Sequence, residues 1–108
     1  MFMALEMSLV VLEKLVAVEA KIRLRSSSLA QQIADASESV ALNLGESRRR
    51  RGGDQRRHLE IAAGSASEVT VGLRIALAKK YISAAEAADV DAPLDRVRAM
   101  LWRLAPPR

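Results

Sequence analysis

Cysteine is absent from the 108-residue chain, and histidine occurs once, as His58. The first absence excludes disulfides and thiolate metal sites, the second a multi-histidine metal centre, so neither metal nor cofactor is expected. Aromatic residues are nearly missing too: Phe2, Tyr81 and Trp102 are the full set. Half of the residues are nevertheless apolar. A core of Ala, Leu, Val and Ile with few rings suits closely packed helices better than a sheet. Glycine (five) and proline (three) are sparse as well, and with Pro106 and Pro107 in the tail only Pro93 can break a helix. Residues 1–108 are read as one domain, long enough to bury roughly two thirds of the unfolded surface but too short for a second core.

Catalytic patterns are lacking in the same way. His58 and Glu68 do not share a helical face, no nucleophile or paired acid accompanies them, and Gly52-Gly53 lacks the Lys-Ser/Thr that completes a phosphate-cradling loop. No enzymatic activity is expected. The apolar opening from Met1 to Val18 has no basic flank before it and is interrupted by Glu6, Glu13 and Lys14. It reads as a buried helix, neither a signal peptide nor a membrane span, in a soluble cytoplasmic protein.

Charge is concentrated. The chain carries seventeen basic and thirteen acidic residues, net +4, and between Arg48 and Arg57 six arginines meet Asp54 alone. Arg48, Arg49, Arg50, Arg51, Arg56 and Arg57 are therefore the candidate nucleic-acid-binding residues, since guanidinium groups pair with phosphates in bidentate fashion.

Apolar spacing predicts four helices. The first, Met3 to Leu24, carries two adjacent stripes, Leu5/Leu9/Leu12/Val16 and Val11/Leu15/Val18/Ile22. Either both form one wide core face, or one faces the bundle and the other a neighbouring subunit. The second helix follows a serine cap among Ser26 to Ser28, with a heptad seam Leu29, Ile33, Ala36, Val40, Asn43. Gly52-Gly53 turns the chain, and Asp54 is the expected cap of a third helix from Gln55 to Lys80, so that the arginines lie at the tip of an antiparallel hairpin. The third helix has a main seam Leu59, Ala62, Ala66, Val69, Leu73, Ala76 and a side stripe Ile61, Ser65, Glu68, Gly72, Ile75. Ser83 and Glu86 have the spacing of a capping box. Asp91-Ala92-Pro93 is expected to interrupt the fourth helix and leave it short, before a last stripe of Leu94, Val97, Leu101 and Leu104.

Asn43 and Glu68 fall among apolar turns, and a buried polar group left unpaired costs on the order of 1 to 3 kcal/mol. Asn43 is expected to make a structural hydrogen bond that fixes helix register, with a ligand contact as the other option. Glu68 needs a donor from Asn43, a serine or an arginine. Together Asn43, Ser65 and Glu68 are predicted to form a buried polar network.

The run Ile33-Ala34-Asp35-Ala36-Ser37-Glu38-Ser39-Val40-Ala41-Leu42-Asn43-Leu44-Gly45-Glu46 resembles the helix-two signature of bacterial four-helix bundle proteins first recognised in intervening sequences of large-subunit ribosomal RNA genes. Leu59-Glu60-Ile61-Ala62-Ala63-Gly64-Ser65-Ala66-Ser67-Glu68 matches that family's helix-three pattern, and Tyr81-Ile82 stands where the family usually has Gly-Tyr-Ile or Gly-Tyr-Leu. The chain departs from the pattern at Ala34-Asp35, where an arginine pair is usual, at Gly45-Glu46-Ser47 in place of Ala-Glu-Gly, and at His58 in place of an aromatic. The resemblance implies an all-α, up-and-down, left-handed four-helix bundle that assembles into a homo-oligomeric ring, typically a pentamer. The family is similar to the accessory protein of diversity-generating retroelements, which associates with reverse transcriptase and nucleic acid. The expected function is non-catalytic binding of RNA or DNA, RNA preferred, through the arginine-rich turn; the alternative is an oligomeric scaffold for a protein partner, with no nucleic-acid role and no membrane.

Overall fold

In a computed structural model describing residues 1–108, the chain forms α1 (Phe2–Arg23), α2 (Ser27–Ser47), α3 (Gly52–Ala78) and α4 (Ala84–Leu104). Short turns join them, so successive helices run antiparallel. α1 packs on α2 and α4, and α3 packs on the same two, which places α1 and α3 at opposite corners of an up-and-down four-helix bundle 42 × 24 × 22 Å across. The spacing predicted the four helices, and the all-α up-and-down bundle is the fold that the resemblance implied.

The helix starts have legible chemistry. The Ser26 hydroxyl accepts the Leu29 N–H at 3.2 Å. Ser83 and Glu86 form the capping box: the Glu86 N–H donates to Ser83 Oγ (3.1 Å) and the Ser83 N–H to Glu86 Oε1 (2.8 Å). Lys21 donates to the same carboxylate at 2.7 Å, tying the end of α1 to the start of α4. Those bonds, Lys21 first and the Ser83 amide second, hold Glu86 down to a pKa of about 2.

Only one of the two α1 stripes faces the core. Ala4, Ser8, Val11, Leu15, Val18 and Ile22 are buried, whereas Leu9 and Val16 are exposed and Leu5 and Leu12 half-buried. On α2 the seam begins as predicted with Leu29, Ile33, Ala36 and Val40, but its last members are Leu44 and Ser47, not Asn43. A straight helix drifts by about 20° per heptad from a strict seven-residue repeat, enough to move the seam one residue on and leave Asn43 at its edge. The α3 seam is buried throughout.

Two helix boundaries correct the sequence reading. α3 starts at Gly52, with Arg51 as N-cap and no side-chain cap bond, so Asp54 lies in the first helical turn and is not the cap. Its carboxylate still meets the positive end of the helix dipole there. Gly52 has φ +57°, the left-handed turn expected of this glycine pair. α4 is neither short nor interrupted: it spans 21 residues straight through Asp91-Ala92-Pro93, and Pro93 is buried. Ala87, Val90, Leu94, Val97 and Leu101 run at spacings of three and four on both sides of the proline and are all buried. At about 1.5 to 3 kcal/mol for each large side chain, their burial outweighs the roughly 3 kcal/mol that an interior proline costs. Leu104, expected on that stripe, is exposed where the helix ends.

Gly72 and Lys80 mark the tightest places. A Cβ on Gly72 would stand 2.6 Å from Ile33 Cγ1, so the Ile33 side chain of α2 already fills the space that a side chain at this position of α3 would need. Lys80 has φ +62° and closes α3: its N–H donates to Leu77 O (3.0 Å), and the Tyr81 N–H to Ala76 O (2.8 Å). This left-handed closure is a position that favours glycine. Two opposite outcomes are expected in urea unfolding. Gly72→Ala should destabilise by roughly 1 to 3 kcal/mol despite alanine's better helix propensity; Lys80→Gly should stabilise by up to about 1 kcal/mol by relieving left-handed strain.

Candidate nucleic-acid interface

The α2–α3 turn carries the arginine run, and the structure sorts its members by their neighbours. Arg49 and Arg51 are exposed and make no ion pair. Arg48 lies over the Phe2 ring at 5.4 Å, a cation–π contact that holds the start of α1 against the turn. Arg50 bridges Asp54 (3.1 Å) and Glu46 (3.8 Å), and Arg57 also reaches Asp54 (3.4 Å). Arg56 turns away from the run: its guanidinium donates to the Pro106 carbonyl and approaches Glu60 at 3.7 Å, with only 22 % of the side chain exposed. Five of the six candidate arginines therefore line one exposed end, and the sixth braces the chain terminus.

The turn itself is held from beneath. Gln55 Nε2 donates to the Ser47 carbonyl at 3.0 Å, and the buried Ser47 hydroxyl donates to Leu44 O at 2.7 Å and reaches Met1 Sδ at 3.3 Å. An even number of antiparallel helices brings the start of α1 and the end of α4 to this same end. Phe2, Arg103, Pro106 and Arg108 thus join the arginine run, although sequence reasoning left them out. Four-helix topology was the signal that could have placed them, whereas the Arg56–Pro106 bond needed the folded tail.

The polar network exists in altered form. Asn43 Nδ2 donates to Ser39 O (2.9 Å) and Ser39 Oγ (3.2 Å), Ser65 Oγ donates to Ser39 Oγ (2.8 Å), and Asn43 Oδ1 pairs with His58 Nδ1 (2.9 Å). Asn43 and Ser65 are joined across α2 and α3 as expected, but through Ser39 and His58. Glu68 takes no part. It is exposed, in an open groove between α2 and α3 with Gln32, Val71 and Ile75, because its place on α3 lies one turn beyond Ser65 on the outward side. Hydration replaces the buried donor it was expected to need.

No group of three or more His, Asp or Glu side chains converges as a metal site. A groove of about 420 Å³ between α3 and α4 is walled by Glu60, Gly64, Ser67, Arg98, Leu101 and Trp102, and Ser67 makes no hydrogen bond to Glu60 there.

A family model described as 23S rRNA-intervening sequence protein matches residues 4–103. Among solved structures, a protein of unknown function from the S23 ribosomal protein family of Bacteroides thetaiotaomicron VPI-5482 superposes with a TM-score of 0.86, covering 96% of this chain and 99% of that one at 17% identity. That likeness shows the fold alone. No curated protein matches the sequence.

The redrawn network can be checked by unfolding. Ser39→Ala removes the acceptor of the buried Ser65 hydroxyl and should cost roughly 1 to 2 kcal/mol, while Glu68→Ala should stay within about 0.5 kcal/mol of the parent. Equal losses from the two would restore Glu68 to the network.

Proposed function

The chain belongs to the 23S rRNA-intervening sequence protein family, and from that premise we propose that it is a non-catalytic, oligomeric nucleic-acid-binding bundle with RNA as its ligand. The observation that carries this reading is the exposed arginine end, where Arg49 and Arg51 have no acidic partner and Arg48, Arg50 and Arg57 stand beside them. Phosphates attract such a surface without regard to base sequence. Asp54 and Glu46 weaken the field only locally, and Arg103 and Arg108 add to it from the C-terminal side.

A second copy of the chain is the other partner in this reading. Leu9 and Val16 on α1, and Ile61, Val71 and Ile75 on α3, are exposed apolar side chains on opposite corners of the bundle. α3 is apolar enough over 18 residues, at a mean hydropathy of 1.3, to pass for a membrane span by length and composition, because it bears apolar residues on this outer face as well as on its seam. Two different faces that pair head to tail close into a ring when the rotation allows, and a pentameric ring would repeat the arginine end five times on one rim. The same stripes favour the second reading, a scaffold that engages a protein partner through them and uses the basic end for solubility.

Fluorescence anisotropy with a single-stranded RNA over a salt series tests the binding. Log affinity should fall with log salt, and replacing Arg49 and Arg51 by alanine should flatten the slope by about 0.7 per arginine, with Arg56→Ala changing it least. A flat salt response supports the scaffold instead. In light scattering the parent should be larger than one chain, and Val16→Glu or Val71→Glu should reduce it to monomer with helicity kept; a monomeric parent removes the ring.

A further inference from the structure

The single histidine stands where the half-buried polar network meets the arginine end. His58 is half-buried near the start of α3, and its bond to Asn43 has one possible direction. Asn43 Nδ2 donates to the Ser39 carbonyl, which can only accept, so the amide oxygen must face His58 and Nδ1 of the neutral ring must carry the hydrogen. Ser39 and, through it, Ser65 hold the amide in that orientation. The other nitrogen, Nε2, then presents its lone pair 3.5 Å from Arg57 Nη2. Turning the ring over would set a C–H against the Asn43 oxygen.

We infer that His58 is a phosphodiester contact of the arginine end: with a phosphate in place it takes a proton from solvent on Nε2 and donates it, beside Arg57, to the phosphate oxygens, so that RNA binding is coupled to proton uptake. This rests on the reading of that end as a phosphate site and adds to it a residue and a pH dependence.

Three observations support it. Arg57 Nη2 and His58 Nε2, 3.5 Å apart, are spaced to serve one phosphate, each within the 2.7 to 2.9 Å typical of charge-assisted bonds. A phosphate between the two nitrogens stabilises the protonated ring and accepts the new N–H, in competition with the Asp54 carboxylate 3.4 Å from the same Arg57 Nη2. The ring needs no rearrangement, because Nδ1–H already has its acceptor. The charged groups around it are Arg57 and Asp54 on α3, Glu46 one turn from Asn43 on α2, and Arg50 in the turn between them, which pairs with both Glu46 and Asp54. Arg56 is turned to Pro106 on the α4 side, and the Met1 amino group from α1 lies at the same end of the bundle.

Because His58 is the only histidine, its imidazole Cε1 proton is a single assignable resonance. Imidazoles ordinarily titrate near about pH 6.5, so a titration from about pH 5.5 to about pH 8, with and without a single-stranded RNA oligonucleotide at low salt, spans the transition. The expected result is a titration displaced to higher pH by RNA, with binding roughly tenfold tighter at the acid end of the range than at the alkaline end. His58→Gln should show at every pH the salt slope that the parent shows at the alkaline end of the range, and no pH step. Asn43→Ala, which frees the ring, should keep the slope and lose most of the step; circular dichroism checks that both variants keep the parent's helicity. Salt-dependent binding that is indifferent to pH overturns the role of His58 and leaves the arginine end intact. A pH step that survives in His58→Gln assigns it to the Met1 amino group and overturns the inference too. No salt-dependent binding at any pH overturns the phosphate site itself and the inference with it.

Discussion

The close approach of α2 and α3 is the contact on which the rest depends. Its packing is tight where the Ile33 side chain fills the space beside Gly72, and it continues through the Ser65–Ser39 hydrogen bond to the His58–Asn43 pair. Helices that meet this closely cannot slide without opening a void or breaking a buried hydrogen bond. The turn between them is therefore held at a defined place, and with it the direction in which the arginines point. Apolar packing of the Leu59–Ala76 seam against the other helices supplies cohesion, while the polar contacts select the register.

Electrostatics at the arginine end works by partial neutralisation. Six arginines within ten residues would repel one another strongly if all were free, and Asp54, by accepting from both Arg50 and Arg57, lowers that repulsion without hiding the surface. Arg48 on the Phe2 ring and Arg56 on the Pro106 carbonyl use their guanidinium groups to fasten the two chain ends to the turn. Cations near the α3 N-terminus oppose the helix dipole, and the carboxylate of Asp54 in the first turn offsets that as well. Fold and charged surface are built from the same side chains here, and only Arg49 and Arg51 have no structural duty.

Much of this was legible in the spacing of apolar residues. The four helices, the α3 seam, the Ser26 cap and the Ser83–Glu86 capping box all follow from local rules, because a helix needs only its own residues to choose a face and a start. The errors have local reasons too. A strict heptad put Asn43 in the α2 seam, where the slow drift of a straight helix brings Leu44 instead. Pro93 read as a break, since its local cost is plain in the sequence while the long-range burial of Val90, Leu94 and Val97 is not. Glu68 read as buried because one turn of α3 faces α2 at Ser65 and the next turns toward solvent, a difference of angle that alternating small and polar residues do not report.

By itself, the order of residues determined the four helices, the inward seam of α3 and the basic turn, all of which depend on contacts within a few positions of the chain. Tertiary structure alone decided which arginines remain unpaired, which side of α1 is left bare, and that Ser39 and His58, a helix apart, complete the network that Asn43 and Ser65 began. Those outcomes rest on distances between residues tens of positions apart, such as Arg56 and Pro106 or Phe2 and Arg48, which exist only once the four helices have closed against one another.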